Sequence, residues 1–279
     1  MIPNQLKTVI LLGALTGLLL LVGGLLGGQN GLLIALIFSL LMNLGSYWFS
    51  DKVVLAMYRA REVKDKHSKL YKTVKEVSEI AGIPMPKVYI IPSEQSNAFA
   101  TGRSPKHAAV AATEGILKLL TDNELKGVIA HEVSHVKNRD VLVSTIAATI
   151  AGVISYLAFM ARFAAIFGDR DRNGNSLFQL LAISIITPII AMLIQFAISR
   201  SREYLADNSG AGMLKNSHGL ASALEKLEKD AKVHPMRLGS PATAHLFITN
   251  PFSGQAVMRM LSTHPPTQER VKRLRSMNL

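Results

Sequence analysis

A pattern of side chains that can bind a metal lies near the middle of the chain, in the segment IAHEVSHVKNRD (129–140). His131 and His135 stand at positions i and i+4, so on a helix both imidazoles project from one face and can share one ion. Glu132, next to the first histidine, can act as general base on a water that attacks a peptide carbonyl. The alternative is a polar helix end that contains two histidines by chance, because so short a pattern also occurs in unrelated chains.

A catalytic zinc site needs a third protein ligand, and the segment SRSREYLADNSG (199–210) offers one. Glu203 supplies a carboxylate. Asp207 follows one helical turn later, where it can accept a hydrogen bond from the far ring nitrogen of His131. Taken alone, the segment is typical of a solvated, charged helix start. The chain contains no cysteine, so the ligands must come from His, Asp and Glu.

Local signals predict the elements that carry these residues. Thr121 and Glu124 form a Thr-x-x-Glu capping box, which predicts that a helix begins near Asp122 and continues through both histidines. Apolar spacing and the flanking Pro and Gly residues predict further helices and short strands. The predicted helices cover Arg61–Ala81, His218–Ala231 and Thr267–Met277, and the predicted strands cover 87–92 and 107–113.

Long uncharged stretches surround these segments. No charged residue lies between Lys7 and Asp51, and GGQNG (27–31) divides that stretch into two spans. A second pair of uncharged stretches covers 141–161 and 177–199. Each stretch is close to the roughly 20 residues that cross a bilayer, so we predict two transmembrane hairpins. A cleaved signal peptide is the alternative for the first span, and a buried hairpin of a soluble domain is the alternative for the second pair.

The distribution of charge predicts the orientation. The net charge is +12, and Lys and Arg are concentrated in 51–75, directly after the second span. Since positively charged flanking segments stay in the cytoplasm, 51–140 and 200–279 are predicted to face it and to fold together. No basic stripe is interleaved with aromatic residues, so nucleic acid is not expected as a partner.

These observations predict a mostly α integral membrane protein with four transmembrane helices and a cytoplasmic, zincin-like α+β catalytic domain that contains a small β-sheet. The predicted divisions are a hairpin over 1–50 (spans of about 8–27 and 32–50), a first catalytic part over 51–140, a hairpin over 141–199, and a second catalytic part over 200–279.

Three motifs, HEVSH, SRSREYLAD and THPPTQERV (263–271), resemble in kind and order those of the membrane-embedded gluzincin metalloproteases. The resemblance covers nearly the whole chain and is closest to the bacterial heat-shock branch, a relative of the CAAX prenyl protease. It implies one Zn²⁺ per chain, bound by His131, His135 and Glu203. Glu132 would be the general base, and Asp207 would lie behind the ligands.

The same resemblance assigns two further roles. It implies that NAFATG (97–102) is an edge strand on which a substrate peptide pairs in extended form, with Asn97, Ala98, Phe99 and Ala100 binding substrate. It also implies that His264 supports the oxyanion of the tetrahedral intermediate. Without the resemblance, these segments would be interpreted as a surface loop and as a helix start.

The leading functional hypothesis is a zinc metalloendopeptidase of the bacterial inner membrane, multi-pass, with both termini cytoplasmic. It would cleave misfolded or damaged membrane proteins at the cytoplasmic face, in quality control and the stress response. Its partners would be membrane-protein or unfolded-protein substrates and the lipid bilayer, with a second copy of the chain or a regulatory membrane protein as further candidates. The alternatives are an intramembrane-cleaving protease, a prenyl-protein protease and a non-catalytic zinc-binding scaffold.

Overall fold

The computed structural model of this chain describes residues 4–147, 200–234, 246–248 and 265–279. The predicted span over 177–199, most of the span over 141–161, and His264 lie outside the described residues. Within the described part the protein is mostly helical and contains one small mixed sheet.

The N-terminal helix, α1 (Asn4–Met57), folds back on itself. Gly28, in the predicted turn, has a φ of 54°, which glycine adopts without steric cost. The Asn43 side-chain amide donates a hydrogen bond of 2.8 Å to the Thr16 hydroxyl. In a straight helix these two residues would lie about 40 Å apart, so the two arms of α1 must pack side by side.

The second arm of α1, Gly28–Met57, is long and apolar enough to span a membrane, and the first arm contains the shorter apolar run Leu12–Leu21. The predicted second span ends at 50, but the helix continues through Asp51 to Met57. The extension has a physical cause, because the last turns of α1 pack against the soluble part of the protein. Val54 and Tyr58 are fully buried there.

The sheet has four strands in the order β1-β2-β4-β3. Its strands are β1 (Arg61–Glu62), β2 (Lys87–Ile91), β3 (Ala98–Gly102) and β4 (Ala108–Thr113). β2 and β4 are parallel, whereas β1 pairs antiparallel with β2 and β3 pairs antiparallel with β4. The two strands predicted over 87–92 and 107–113 are confirmed as β2 and β4. β3 contains most of the NAFATG segment and lies at one edge.

The prediction of a single helix over Arg61–Ala81 is wrong in its first half. The chain pairs with β2 as β1, and Val63 continues this pairing through its N–H to the Val88 carbonyl oxygen (2.8 Å). The helix, α2, covers only Lys69–Ala81, and the Ser68 side chain caps it by accepting a hydrogen bond from a main-chain N–H. The apolar spacing before Ser68 therefore reflects strand pairing and not a helical face.

Three of the remaining helices, those that begin at Asp122, His218 and Thr267, lie close to their predicted positions, whereas the helix over Glu114–Leu119 was not predicted. The remaining helices are α3 (Glu114–Leu119), α4 (Asp122–Lys137), α5 (Arg200–Leu214), α6 (His218–Val233) and α7 (Thr267–Arg275). Residues 141–147 are also helical. The capping box at the start of α4 is present in both of its hydrogen bonds, as the sequence predicts.

The sheet is covered on both faces. One face, with Ala98, Ala100 and Val110, joins the main core with α2, α4 and α6. The other face packs on the end of α1, where the rings of Tyr58 and Phe99 lie 5.7 Å apart. The end of the apolar helix is therefore one structural layer of the soluble part.

A network of hydrogen bonds fixes the start of α4. The Glu124 carboxylate accepts from the Thr121 N–H (2.9 Å), the Ser222 hydroxyl (2.7 Å) and the Lys226 ammonium (2.8 Å). Burial alone would raise the pKa of Glu124, but these donors outweigh it and lower the pKa to about 2. The ionised form thus stabilises the junction of α4 with α6.

We expect Glu124→Gln to lower the melting temperature at pH 7. The contribution of Glu124 is present above the unfolded-state pKa, about 4.3, and is lost as the pH falls through the folded pKa, about 2. The gap in melting temperature between wild type and variant should therefore close between these pH values, measured by thermal unfolding in detergent. Glu76→Gln, at an exposed side chain, is the control and should have little effect. A gap that is constant with pH would contradict the assignment.

Candidate metal centre and active site

The site forms where α5 crosses α4 at close range. A Cβ atom on Gly210 would lie 3.0 Å from main-chain atoms of Ala130 and His131, so only glycine permits this approach without a shift. Glu203 and Asp207 lie on the same buried face of α5 as Gly210. The crossing therefore brings two carboxylates against the helix that carries the histidines.

Three of these side chains converge on one point. The Nε2 atoms of His131 and His135 are 3.2 Å apart, and the Glu203 carboxylate oxygens lie 3.7 Å and 3.5 Å from them. A tetrahedral Zn²⁺ with Zn–N bonds of about 2.05 Å has ligand-to-ligand edges of about 3.3 Å. The donor types and their separations therefore fit a zinc ion.

Carboxylates behind the ligands orient both imidazole rings. The Nδ1 of His131 lies 2.9 Å from the Asp207 carboxylate, and the Nδ1 of His135 lies 3.3 Å from the Asp140 carboxylate. Each contact directs the opposite nitrogen, Nε2, toward the shared point. Asp140 was not predicted, because it lies in the turn after α4 and no local pattern marks it.

A buried arginine, Arg270 of α7, completes this arrangement and was also not predicted. Its Nε and Nη2 donate to the two oxygens of Asp207 at 2.9 Å and 2.7 Å. Its Nη1 donates to the Ile248 carbonyl oxygen at 3.0 Å. Only 1% of Arg270 is exposed. Such a bidentate pair fixes the orientation of Asp207 and keeps it ionised.

An ion pair joins the two stretches that flank 141–199. Arg202 donates to the Asp140 carboxylate, and both side chains are largely buried. Arg202 precedes Glu203, and Asp140 contacts His135. The pair therefore fixes one ligand from each stretch relative to the other.

Glu132 lies beside the metal site, opposite the edge of the sheet. Its Oε2 accepts a hydrogen bond of 2.9 Å from the Ala100 N–H, and only 3% of Glu132 is exposed. This contact joins the carboxylate next to the first histidine directly to β3.

Burial and charge shift the pKa values of the two histidines in opposite directions. Burial lowers the pKa of His131 to about 4, although the hydrogen bond to Asp207 opposes this. Burial also disfavours charge on His135, but the carboxylates of Asp140 and Glu203 outweigh it and raise the pKa to about 9. A neutral imidazole is the form that ligates a metal, so metal binding at this site is coupled to loss of protons.

The pKa values of the Glu132 and Asp207 carboxylates are also shifted in opposite directions. Burial raises the pKa of Glu132 to about 8, and the charge of Glu203 adds to the increase. Burial would raise the pKa of Asp207 as well, but Arg270 outweighs it and lowers this pKa to about 2. A general base needs a pKa near the working pH, whereas a residue that orients a ligand needs a fixed charge.

The four residues expected to bind substrate differ in whether their main-chain N–H and C=O groups point toward β4 or away from it. In an antiparallel pair alternate residues direct their main-chain groups away from the partner strand. Asn97 bonds Thr113, so Ala98 and Ala100 face outward. The main-chain groups of Phe99 point toward β4, and its ring is fully buried.

A His/His/Glu donor set with a carboxylate beside it, on a helix packed against a mixed sheet, is the arrangement of a zinc metallopeptidase. The comparison with known families agrees, since the model of peptidase family M48 matches residues 64–278, and the chain belongs to this family.

The relatives are similar over nearly their whole length. The chain is 53% identical over 281 residues to a protease HtpX homolog of Syntrophobacter fumaroxidans, covering 98% of this chain and 99% of that protein. It is 52% identical to a protease HtpX homolog of Thermococcus kodakarensis, covering 97% of this chain and 94% of that protein. These similarities define a membrane-bound zinc metalloprotease.

The fold is shared with a solved structure. The crystal structure of S. mikatae Ste24p matches with a TM-score of 0.52 at 18% sequence identity, over 97% of this chain and 65% of that one. The chain thus spans about two thirds of the length of Ste24p.

We expect Arg270→Lys to weaken zinc binding by about 10- to 100-fold, because lysine cannot hold both oxygens of Asp207 and so leaves the His131 ring less fixed. The measurement is zinc competition with a chelator. Arg273→Lys, at an exposed residue one turn away, is the matched control. Equal affinities of the two variants would show that Arg270 does not act through the ligand.

Proposed function

We propose that this protein is a zinc endopeptidase that cleaves misfolded or damaged membrane proteins at the cytoplasmic face of a bacterial inner membrane. The observation that supports this proposal best is the position of Glu132, between the His131–His135–Glu203 donor set and the edge of β3. A carboxylate at that position lies between the metal and any peptide that pairs with the strand.

In the proposed mechanism His131, His135 and Glu203 would hold the zinc, and Asp207 keeps the His131 ring oriented. When bound, the ion would supply Lewis acidity for the attacked carbonyl and for water. Glu132 takes a proton from the attacking water and then delivers it to the leaving amine. His264, which precedes the segment leading into α7, donates a hydrogen bond to the oxyanion.

The substrate binds as an added strand. Asn97, Ala98, Phe99 and Ala100 form the proposed binding segment, of which Ala98 and Ala100 present outward main-chain groups. Recognition through the main chain is largely independent of side chains, so we propose broad sequence specificity. This suits an enzyme that removes damaged proteins of many sequences.

The contacts of β3 support a location near the membrane. Thr101 of β3 lies within hydrogen-bonding distance of Thr145, in the helix that begins the third apolar stretch (3.1 Å). The Arg103 guanidinium lies 4.3 Å from the centre of the Trp48 ring of α1, and tryptophan is typical of membrane interfaces. We propose four spans, in the hairpins 1–50 and 141–199, with 51–140 and 200–279 together in the cytoplasm.

The alternatives are less well supported. A structural zinc site normally has four protein ligands, and a scaffold would gain nothing from a buried carboxylate beside the ion. An intramembrane-cleaving protease would need its metal helix within a span, whereas α4 carries Lys126 and Lys137 and precedes the apolar stretch.

Glu132→Gln tests the chemistry. We expect proteolysis of a membrane-anchored reporter to fall by about 10²- to 10⁴-fold, because the amide cannot accept the proton of water, while zinc stays bound. Asp122→Asn, at an exposed residue of the same helix, is the control. Unchanged cleavage by Glu132→Gln would refute the mechanism, and loss of zinc would show that Glu132 has a structural role.

The absence of cysteine from the chain permits a direct test of orientation. Single substitutions Lys66→Cys and Lys272→Cys, both at exposed residues, should react with a membrane-impermeant thiol reagent only from the cytoplasmic side. Gln29→Cys, in the turn of α1, should react only from the opposite side. Labelling of Lys66→Cys from outside would invert the proposed topology.

A further inference from the structure

The outer edge of β3 is the surface on which the proposed substrate pairs. Its outward main-chain groups belong to alternate residues, Ala98, Ala100 and Gly102. These residues therefore provide the hydrogen-bonding positions along the edge.

The first of these positions is already occupied by the chain itself. The Ile248 N–H donates to the Ala98 carbonyl oxygen at 3.2 Å, and the Ala98 N–H donates to the Asn97 side chain at 3.1 Å. Both outward groups of Ala98 are thus satisfied. At the next position the Ala100 N–H is also engaged, but by a side chain, the carboxylate of the proposed general base Glu132 (2.9 Å), which must leave it when a peptide pairs there.

Residues 246–248 are held firmly against this end of the strand. Phe247 is fully buried, and its ring lies 4.9 Å from that of Tyr58 and 5.1 Å from that of Phe99. The Ile248 carbonyl oxygen accepts a hydrogen bond from the buried Arg270. A substrate that displaced the segment would expose a buried phenylalanine and deprive a buried guanidinium of an acceptor, both of which are costly.

We infer that residues 246–248 cap the substrate edge at Ala98, so that of the proposed binding segment 97–100 only Ala100 pairs with a bound peptide, and the pairing continues toward Gly102. The inference rests on the proposed pairing of substrate with β3. Because Glu132 contacts the edge at Ala100, the scissile peptide bond lies level with that residue. The enzyme therefore recognises the substrate main chain on one side of the scissile bond, and the cap closes the other side.

The test is a series of peptide substrates, each with one N-methylated main-chain amide, which cannot donate a hydrogen bond. On one flank of the scissile bond, methylation at alternate positions should reduce kcat/KM by about two- to tenfold, the worth of one hydrogen bond. On the other flank it should have no effect. Phe247→Ala removes the buried ring that holds the segment on the strand, so the tolerant flank should become sensitive in this variant. Phe247→Leu keeps a large apolar side chain at this position and should keep the one-sided pattern.

The outcomes are distinguishable. Sensitivity on both flanks of the wild-type reaction would overturn the cap but support pairing with β3. Sensitivity on neither flank would overturn the pairing and the cap together. An unchanged pattern in a zinc-loaded, folded Phe247→Ala variant would show that residues 246–248 do not close the edge. If that variant fails to fold, the wild-type series alone decides between these results.

Discussion

Three buried carboxylates in one site impose the constraint on which the rest of the structure depends. Glu132, Glu203 and Asp207 are each at most 5% exposed, and uncompensated charges of this kind are prohibitively unfavourable inside a protein. Arg270 supplies one positive charge and a bound Zn²⁺ supplies two, so the ionised site becomes neutral. α4, α5 and α7 must therefore meet at this point, because each contributes a part of the balance.

The same constraint links metal binding to folding. A metal is bound by neutral imidazoles and ionised carboxylates, and the folded chain brings these groups together, so binding of the ion stabilises the fold. The site also cannot be separated from the apolar hairpin. The end of α1 covers one face of the sheet through Tyr58 and Phe99. The soluble and the membrane-associated parts therefore share one core.

The features that the sequence predicts are those set by residues close together in the chain. The capping box and the i, i+4 spacing place the histidines on α4, and Glu203 and Asp207 follow from helical spacing in a second segment. Arg270 does not follow, because TQERVKRLR contains three arginines and only tertiary packing decides which of them turns inward. The contact of residues 246–248 with β3 cannot be predicted for a related reason, because three apolar residues do not indicate which strand they pack against. Pairing with β2 likewise overrides the helical spacing before Ser68.

The ion pair between Asp140 and Arg202 has a consequence for how this chain can vary. It joins the chain just before 141 to the chain just after 199, so the separation of the two metal-binding stretches is set locally. The geometry of the donor set therefore does not depend on the length or composition of the segment 141–199. The catalytic unit is held together across this interruption by this ion pair and by the packing of α5 on α4.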